Sequence, residues 1–569
     1  MQPKTPWLSH YGDVPFNLEY PTDSMSGVVL ATAEKYPSLP ALSYMGRIIP
    51  YSLLEKNIKI TAKAFAAIGI KEGDKVTVCL PNVPQAIYCL YALNYIGAIA
   101  SMIHPLSAES EIEFFLRTAG SKCAITLDQF YPKFEEVMKK YPLEKLVIAS
   151  AGNELGTIKK VAFSLMNLGK MPKLPKDDTV IKWHDFFALG KKFKGEDPKV
   201  EKHDKDVAVI LFSGGTTGTT KGIMLSNINF NALALQTAAM SHYDIHAMKM
   251  LAAMPVFHGF GLGVCIHTMM VAGGLSILVP RFNVKAYANL IKTEKPNFIA
   301  GVPTLFEAIT RNPYLDGVSL DFLRGVFSGG DSLSVELKKK FDKFLDDHGS
   351  PVHVREGYGT TECVTASCLT PYCEEREASI GLPYPDTYYQ VCAVGTCDEV
   401  PYGEDGEICL CGPSVMVGYM NNEAETSNTL RTHADGNVWL HTGDLGKMDE
   451  DGFIYFKQRI KRMIITSGYN VYPSQIENVL DAHPKVQMSC VIGVKDPYKM
   501  QKVKAFIVLK DGIKPSEDIR QELHEYCKKN VAKYALPYQI EFRDELPKTL
   551  VGKVAYTVLE KEAEETSKE

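Results

Sequence analysis

Short apolar runs that end in glycine-rich loops, each followed by a stretch of helical periodicity, recur through residue 460, and this alternation restricts the fold more than any other feature. Asp206–Phe212 (DVAVILF) reads as a buried strand, and Ser226 is placed to cap the helical stretch NINFNALALQTAAM. Leu323–Phe327 reads as a second strand, followed by a Gly-Gly loop and by Ser334 at the head of VELKKKFDKFL. Such units predict α/β layers with parallel strands and ligand sites at the strand C-termini. Residues 150–205 are rich in Lys and Pro and read as a surface insertion or a subdomain connection. GEICLCGPSVMVGYM and DGFIYFKQ look like β hairpin segments, and beyond residue 459 the pattern becomes compact α+β. There Ser474 and Glu477 form an S-x-x-E capping box with Ile476, Val479 and Leu480 on one face. Strands are expected at 488–494 and 503–509, a helix at 516–531, and a frayed charged tail in EKEAEETSKE.

Composition excludes several classes. With 569 residues, 62 Lys+Arg against 67 Asp+Glu and a net charge of −5, the chain is not held to nucleic acid by bulk charge. The 45% apolar and 23% charged content is that of a large buried core, at ~150 residues per domain roughly three to four folding units. Thirteen cysteines are scattered and odd in number; Cys363, Cys368 and Cys373 are evenly spaced, but none forms a C-x2-C pair. They read as thiols in a reducing compartment. The opening MQPKTPWLSHYG has no apolar segment and the ending TSKE is not a peroxisomal SKL, so the cytoplasm is expected. Leu251–Pro280 lacks Lys, Arg, Asp and Glu and is long enough to span a bilayer. Pro255, His258, His267 and three glycines between Gly259 and Gly263 interrupt it, which favours a strand, loop and helix and leaves room for peripheral membrane association.

Chemistry concentrates in Phe212–Gly222 (FSGGTTGTTKG), where four glycines, four threonines and a serine leave a buried strand and end at Lys221. Glycines turn backbone N–H groups toward an anion, hydroxyls add donors and lysine adds charge, which makes a polyphosphate cradle. The Walker pattern fails, because Thr220 precedes the lysine and Gly222 follows it.

This loop resembles the S-G-[ST]-T-G-x-P-K-G signature of the adenylate-forming superfamily of acyl-CoA ligases, luciferases and peptide-synthetase adenylation domains. Further matches follow in the family's order: PVFHGFG (255–261), GVPTLF (301–306), SGGDSL (328–333), GYGTTE (357–362), WLHTGDLG (439–446), QRIK (458–461), SGYNVYP (467–473) and LPKTLVGK (546–553). The resemblance implies an α/β fold: a large N-terminal adenylation domain (1–458) of two α/β layers and a β-barrel-like part, a hinge (459–461), and a small mobile α+β domain (462–569). It implies that Ser213, Gly215, Thr216, Thr217, Gly218 and Lys221 hold the ATP phosphates, and that Tyr358, between Gly357 and Gly359, stacks on adenine beside Gly329 and Gly330. Thr361 would touch the α-phosphate, Glu362 with Thr217 would hold Mg²⁺, and Asp444 and Arg459 would bind the ribose. Lys461 and Gly468 would also line the nucleotide site. Lys553 would reach in from the small domain to stabilise the adenylation transition state. His258 would form the wall between nucleotide and acyl pocket, with a satisfied core histidine as an equal alternative. Taken singly, Tyr358 reads as a core aromatic and Lys553 as a surface lysine; the ordered set argues otherwise.

Trp7, Tyr11 and Pro15, together with EGYGTTE and SIGLPYPDT, look like long-chain fatty acid–CoA ligases. The resemblance therefore implies that a medium- to long-chain fatty acid is activated by ATP to acyl-AMP and passed to CoA, with an acyl pocket from 251–270, 301–306 and 357–361. The alternatives are a fatty-acyl-AMP ligase that loads a carrier protein, favoured less because no carrier segment is present, and an aryl or other carboxylate–CoA ligase. Gly214, Thr220, Gln458, Met500 and Tyr556 depart from the family pattern, which bears on CoA contacts and domain closure more than on adenylation.

Overall fold

Runs rich in Val, Ile and Ala bury both faces, and they form the centres of two mixed sheets in the computed structural model. It describes residues 3–566 apart from 157–158, 160–162, 164, 166–171, 176, 214–219, 467–468, 497 and 550–552. In the first sheet, Val207–Phe212, Ile99–Met102, Lys75–Cys79, Cys123–Leu127, Lys145–Ala149 and Val180–Lys182 run parallel. Gly222–Ser226 adds an antiparallel strand beside Val207–Phe212. In the second sheet, Val354–Tyr358, Gly325–Ser328, Phe298–Gly301, Lys249–Ala252, Leu275–Leu278 and Pro40–Tyr44 run parallel. In the place of the expected barrel-like part stands a five-stranded antiparallel sheet: Tyr388–Cys392, Gly406–Cys411, Val438–Met448, Leu430–Thr432 and Ile454–Arg459. A fourth sheet beyond Arg459, also of five strands, is built on the long pair Val486–Asp496 and Met500–Leu509.

Local chemistry sets the helix starts. Ser334 accepts a hydrogen bond from Leu337 N–H at 3.2 Å and heads Val335–Asp347, which buries Phe341 and Leu345. Ser226 caps Asn227–Ser241, with the Asn229 side chain accepting from Ser226 N–H at 2.8 Å. Ser516 caps Glu517–Asn530. The capping box at Ser474 does not form. Pro473 occupies the first helical position of Pro473–Asp481, so Ser474 lies inside the first turn and donates to Lys457 O at 2.6 Å, while Glu477 accepts from Arg462 at 2.5 Å. The tail is not frayed through its described length: Tyr556–Thr566 is a helix, and Leu559 and Ala563 are buried against Cys490, Ile492 and Phe506.

The charge-free stretch after Leu251 resolves into the end of a strand, the π-helical turns Phe260–His267, the helix Thr268–Ala272 and the strand Leu275–Leu278. Among the described residues no helix is long and apolar enough to cross a membrane. Two departures from the family pattern have local consequences. Met500 stands at φ +67°, a left-handed conformation that costs a side-chain-bearing residue ~1–2 kcal/mol and suits the glycine common there. Tyr556 lies under the Arg462 guanidinium, 4.6 Å from its ring centre.

Candidate active site

The chemistry-bearing loops leave the C-terminal ends of the parallel strands, where such sheets bind ligands. After Val207–Phe212 the loop is closed at its base, with Ser213 N–H donating to Lys221 O and Lys221 N–H to Ser213 Oγ, both at 3.2 Å. Gly215, Thr216, Thr217 and Gly218 lie outside the described residues, as does Gly468. The Lys221 ammonium is paired with Glu425 and lies 4.6 Å from the Tyr419 ring centre. The Tyr419 hydroxyl donates to Glu362 Oε1 at 2.8 Å. A continuous line of contacts thus joins the base of the phosphate-type loop to the turn Thr361–Cys363, where Thr361 and Glu362 are half-buried. Lys461 is exposed, and its charge joins that of Lys221 in holding the Glu425 carboxyl below its usual range.

The second sheet supplies the opposite rim. Gly330 has φ +81°, and a Cβ on it would stand 3.8 Å from Lys553 Cε. A Cβ on Gly329 would stand 3.2 Å from Gly357 O, and one on Gly359 would collide with the backbone at Thr365 and Ala366, at 2.6 Å. Tyr358 ends its strand with its hydroxyl donating to Asp444 Oδ2 at 2.6 Å, and its ring tilts against Phe456. Asp444 and Arg459 are cross-strand partners, and Arg459 Nε lies 2.9 Å from Asp444 Oδ1. That approach is not aligned as a hydrogen bond, so Oδ1 of this buried carboxylate has no hydrogen-bond donor among the described residues. Burial pushes the Asp444 carboxyl up while Arg459 opposes it, and Asp444 in turn holds the Arg459 guanidinium firmly charged. An acceptor buried without a donor is costly, and a ligand hydroxyl relieves it.

From the C-terminal side, Lys553 enters the same cleft. Its N–H donates to Thr549 Oγ1 at 3.1 Å, and its carbonyl accepts from Thr549 N–H at 2.7 Å, which anchors the loop. Burial pulls its ammonium below the ordinary lysine range, Asp331 and Asp444 act the other way, and Arg459 adds to the lowering. His258 Nδ1 accepts from Phe260 N–H at 3.3 Å, so a neutral ring carries its proton on Nε2. Burial, and then the Lys553 charge, push its pKa down to about 3.

A small cavity of about 30 Å³ lies beside these groups, lined by Phe260, Val264, Phe327–Gly329, Gly357, Thr365, Ala366, Leu369, Thr237 and Tyr384. Two of the three expected pocket segments line it; 301–306 does not, and its Val302 instead packs beside Gly330. Glu362 offers Oε2, which no described residue donates to, as a hard oxygen for Mg²⁺, so the donor type fits that ion. Sequence reasoning missed Asp331 as a partner of Lys553, although it sits in SGGDSL, and Tyr419 and Glu425, for which no local signal exists.

Around one cleft of this fold stand the Ser213–Lys221 loop base, the buried Asp444 carboxylate and Lys553 from the C-terminal part of the chain. The chain belongs to the AMP-binding enzyme family, whose description matches residues 29–420, with its C-terminal domain matching 475–553. It is 35% identical to the long-chain-fatty-acid–CoA ligase of Bacillus subtilis (strain 168) over 575 aligned residues, covering 99% of each chain. It is 32% identical to the enzyme of the same name from Escherichia coli O6:H1, covering 98% of each. Among solved structures, the ATP-bound RpMatB-BxBclM chimera B1 superposes with a TM-score of 0.83 at 25% identity, covering 96% of this chain and 99% of that one.

Proposed function

We propose that this chain is an acid–thiol ligase that joins a medium- to long-chain fatty acid to the α-phosphate of ATP, releases pyrophosphate, and passes the acyl group from AMP to coenzyme A. The observation that carries this reading is the approach of Lys553 to Gly330, Asp331 and Asp444 from a loop more than ninety residues beyond the strand that ends at Arg459. Near-full-length similarity to long-chain-fatty-acid–CoA ligases supports the acid and thiol classes.

A carboxylate resists nucleophiles because its leaving group is poor, and attack on phosphorus gathers negative charge on both oxygens. A flexible ammonium at Lys553 meets that charge. Asp444 Oδ1 accepts a ribose hydroxyl, with Tyr358 and Arg459 fixing its orientation. His258, neutral, offers Nε2–H to the acid without a competing charge. Lys221 exchanges Glu425 for a phosphate, and Ser213 with Thr216 and Thr217 completes that end. Glu362 holds Mg²⁺, which when bound offsets phosphate charge. Residues 459–461 act as the hinge between 1–458 and 462–569. The 360 Å³ groove bearing Lys499, Lys502 and Lys533 beside Tyr534 and Tyr538 offers cations to the CoA phosphates. A cavity of about 30 Å³ holds little more than one water-sized group, so an acyl chain enters as Phe260, Val264 and Leu369 shift. Because such acids partition into lipid, contact with a membrane surface belongs to the reading, and vesicle co-sedimentation tests it.

The deciding assay follows AMP release with ATP, Mg²⁺, CoA and a panel of carboxylic acids. AMP release that requires an apolar acid and yields its CoA thioester is expected. Acyl-AMP formed without thioester points to another acceptor, and no AMP release with any acid overturns the reading.

A further inference from the structure

The antiparallel sheet gathers five soft side chains that the ligase reaction does not use. Cys392 and Cys409 come from adjacent strands, Cys397 from the connection between them, His433 from the turn after Leu430–Thr432, and His441 from Val438–Met448. The ligand atoms of Cys397, His433 and His441 lie within 4.8 Å of one another, as do those of Cys392, Cys409 and His433. All are buried except Cys397, which is half-exposed and gives the cluster a path to solvent.

The imidazoles are arranged as ligands. His433 Nε2 and His441 Nε2 face each other at 3.0 Å. The other nitrogen of each ring already has an acceptor: Gln390 Oε1 lies 3.0 Å from His433 Nδ1, and Glu407 Oε2 lies 2.9 Å from His441 Nδ1. With each Nδ1 proton directed at its acceptor, the two Nε2 lone pairs point at one another in a buried place, an arrangement that a cation between them relieves. Carboxylate or carbonyl behind a ligating histidine is the usual outer support of a metal site. Cys397 Sγ lies 3.9 Å from His441 Nε2. Tetrahedral zinc, with bonds of ~2.0–2.1 Å to nitrogen and ~2.3 Å to sulfur, sets its ligands ~3.3–3.8 Å apart. Trp439 closes the site, stacked on His433 with ring centres 5.2 Å apart.

We propose that this cluster is a structural site for a soft divalent cation, zinc by ligand type, held by His433, His441 and Cys397, with a fourth ligand drawn from the Cys392–Cys409 pair, which lies beside His433. Two neutral imidazoles and two thiolates cancel a 2+ charge, so the buried site is neutral once two thiol protons have left to solvent. The site is tied to the nucleotide cleft through Glu407, whose Oε1 accepts from Gly443 N–H at 2.9 Å, one residue before Asp444. The cation thereby fixes the strand that presents the ribose-type acceptor.

The test uses the full chain, free of any histidine tag, grown with added zinc and kept reduced without chelator. Elemental analysis is expected to find about one zinc per chain. The metal-stripped protein titrated anaerobically with Co²⁺ alone is expected to show tetrahedral d–d bands and a thiolate-to-cobalt charge-transfer band. Cys397→Ser, at a half-exposed position, weakens Co²⁺ binding and dims the charge-transfer band, Gln390→Ala weakens it about 10–100-fold, and Cys527→Ser, in the C-terminal helix, changes neither. Reduced wild-type protein with neither zinc nor a cobalt spectrum overturns the proposal, as does a metal content and spectrum unmoved by Cys397→Ser together with His441→Gln.

Discussion

At the scale of single residues, the proposed reaction separates groups that bind from a group that acts in one step. In the proposed reaction Lys553 meets charge that exists only while the carboxylate attacks phosphorus. Lys553→Ala should lower acyl-AMP formation from acid and ATP by ~10²–10³, the loss typical of one preorganised donor, yet leave conversion of supplied acyl-AMP and CoA within a few-fold. Equal slowing of both half-reactions would make Lys553 structural. Asp444 differs, because one oxygen is already taken by Tyr358 and the other lacks an aligned donor. Losing one charge-assisted bond of ~1.5–3 kcal/mol should raise the KM for ATP by about 10–150-fold in Asp444→Ala. An unchanged KM in a folded variant would remove Asp444 from the site. Gln458 also stands out: it is buried, both its amide atoms lack hydrogen-bond partners among the described residues, and nothing in the structure explains the choice of this residue.

At the scale of elements, the junction after Ile454–Arg459 matters most. Ile460–Arg462 is a single 3₁₀ turn, and its last residue, Arg462, is clamped by Glu477 and by the face of Tyr556. Lysine at 461 leaves this backbone free to rotate, whereas proline fixes φ near ~−65°, within the range of a 3₁₀ turn. Lys461→Pro should therefore hold the arrangement in which Lys553 occupies the cleft. Acyl-AMP formation should persist while transfer to CoA falls by at least ~10-fold, since Lys553 and an incoming thiol approach the same carbonyl. Equal loss of both half-reactions would argue against a hinge at 459–461.

At the scale of the whole molecule, the fold buries histidines that must stay neutral. His267 is fully buried between Tyr91 Oη, 3.0 Å from Nδ1, and Asn231 Oδ1, 2.9 Å from Nε2, and burial pushes its pKa down to about 3. In the unfolded chain the same ring takes its proton near ~6.5. Between those two values the unfolded state binds more protons, so stability falls as pH falls, by ~1.4 kcal/mol per pH unit for each such ring. His258 acts in the same direction. His267→Gln should make the acid limb of urea stability shallower by about that amount per unit below pH ~6, read by tryptophan fluorescence, which reports on Trp7, Trp183 and Trp439. Parallel acid limbs for wild type and variant would show that His267 does not carry the effect.

Much of this molecule was legible along the chain because its determinants are local. Buried strands announce themselves as apolar runs, and Ser226, Ser334 and Ser516 cap helices through bonds to residues three positions on. The capping box at Ser474 failed because Pro473 began the helix and because Lys457 and Arg462, outside that segment, took the two side chains. The tail ordered because Ala563, together with Leu559 just before it, meets Cys490 and Phe506. Lys221 resting on Glu425, 204 positions away, and Lys553 beside Gly330 depend on how separate sheets pack, which no spacing encodes. The cysteine and histidine cluster is the extreme case. Its residues are spaced irregularly between positions 392 and 441, and the antiparallel register that pairs Gln390 with Cys409 and Cys409 with His441 is what brings these scattered side chains near one another.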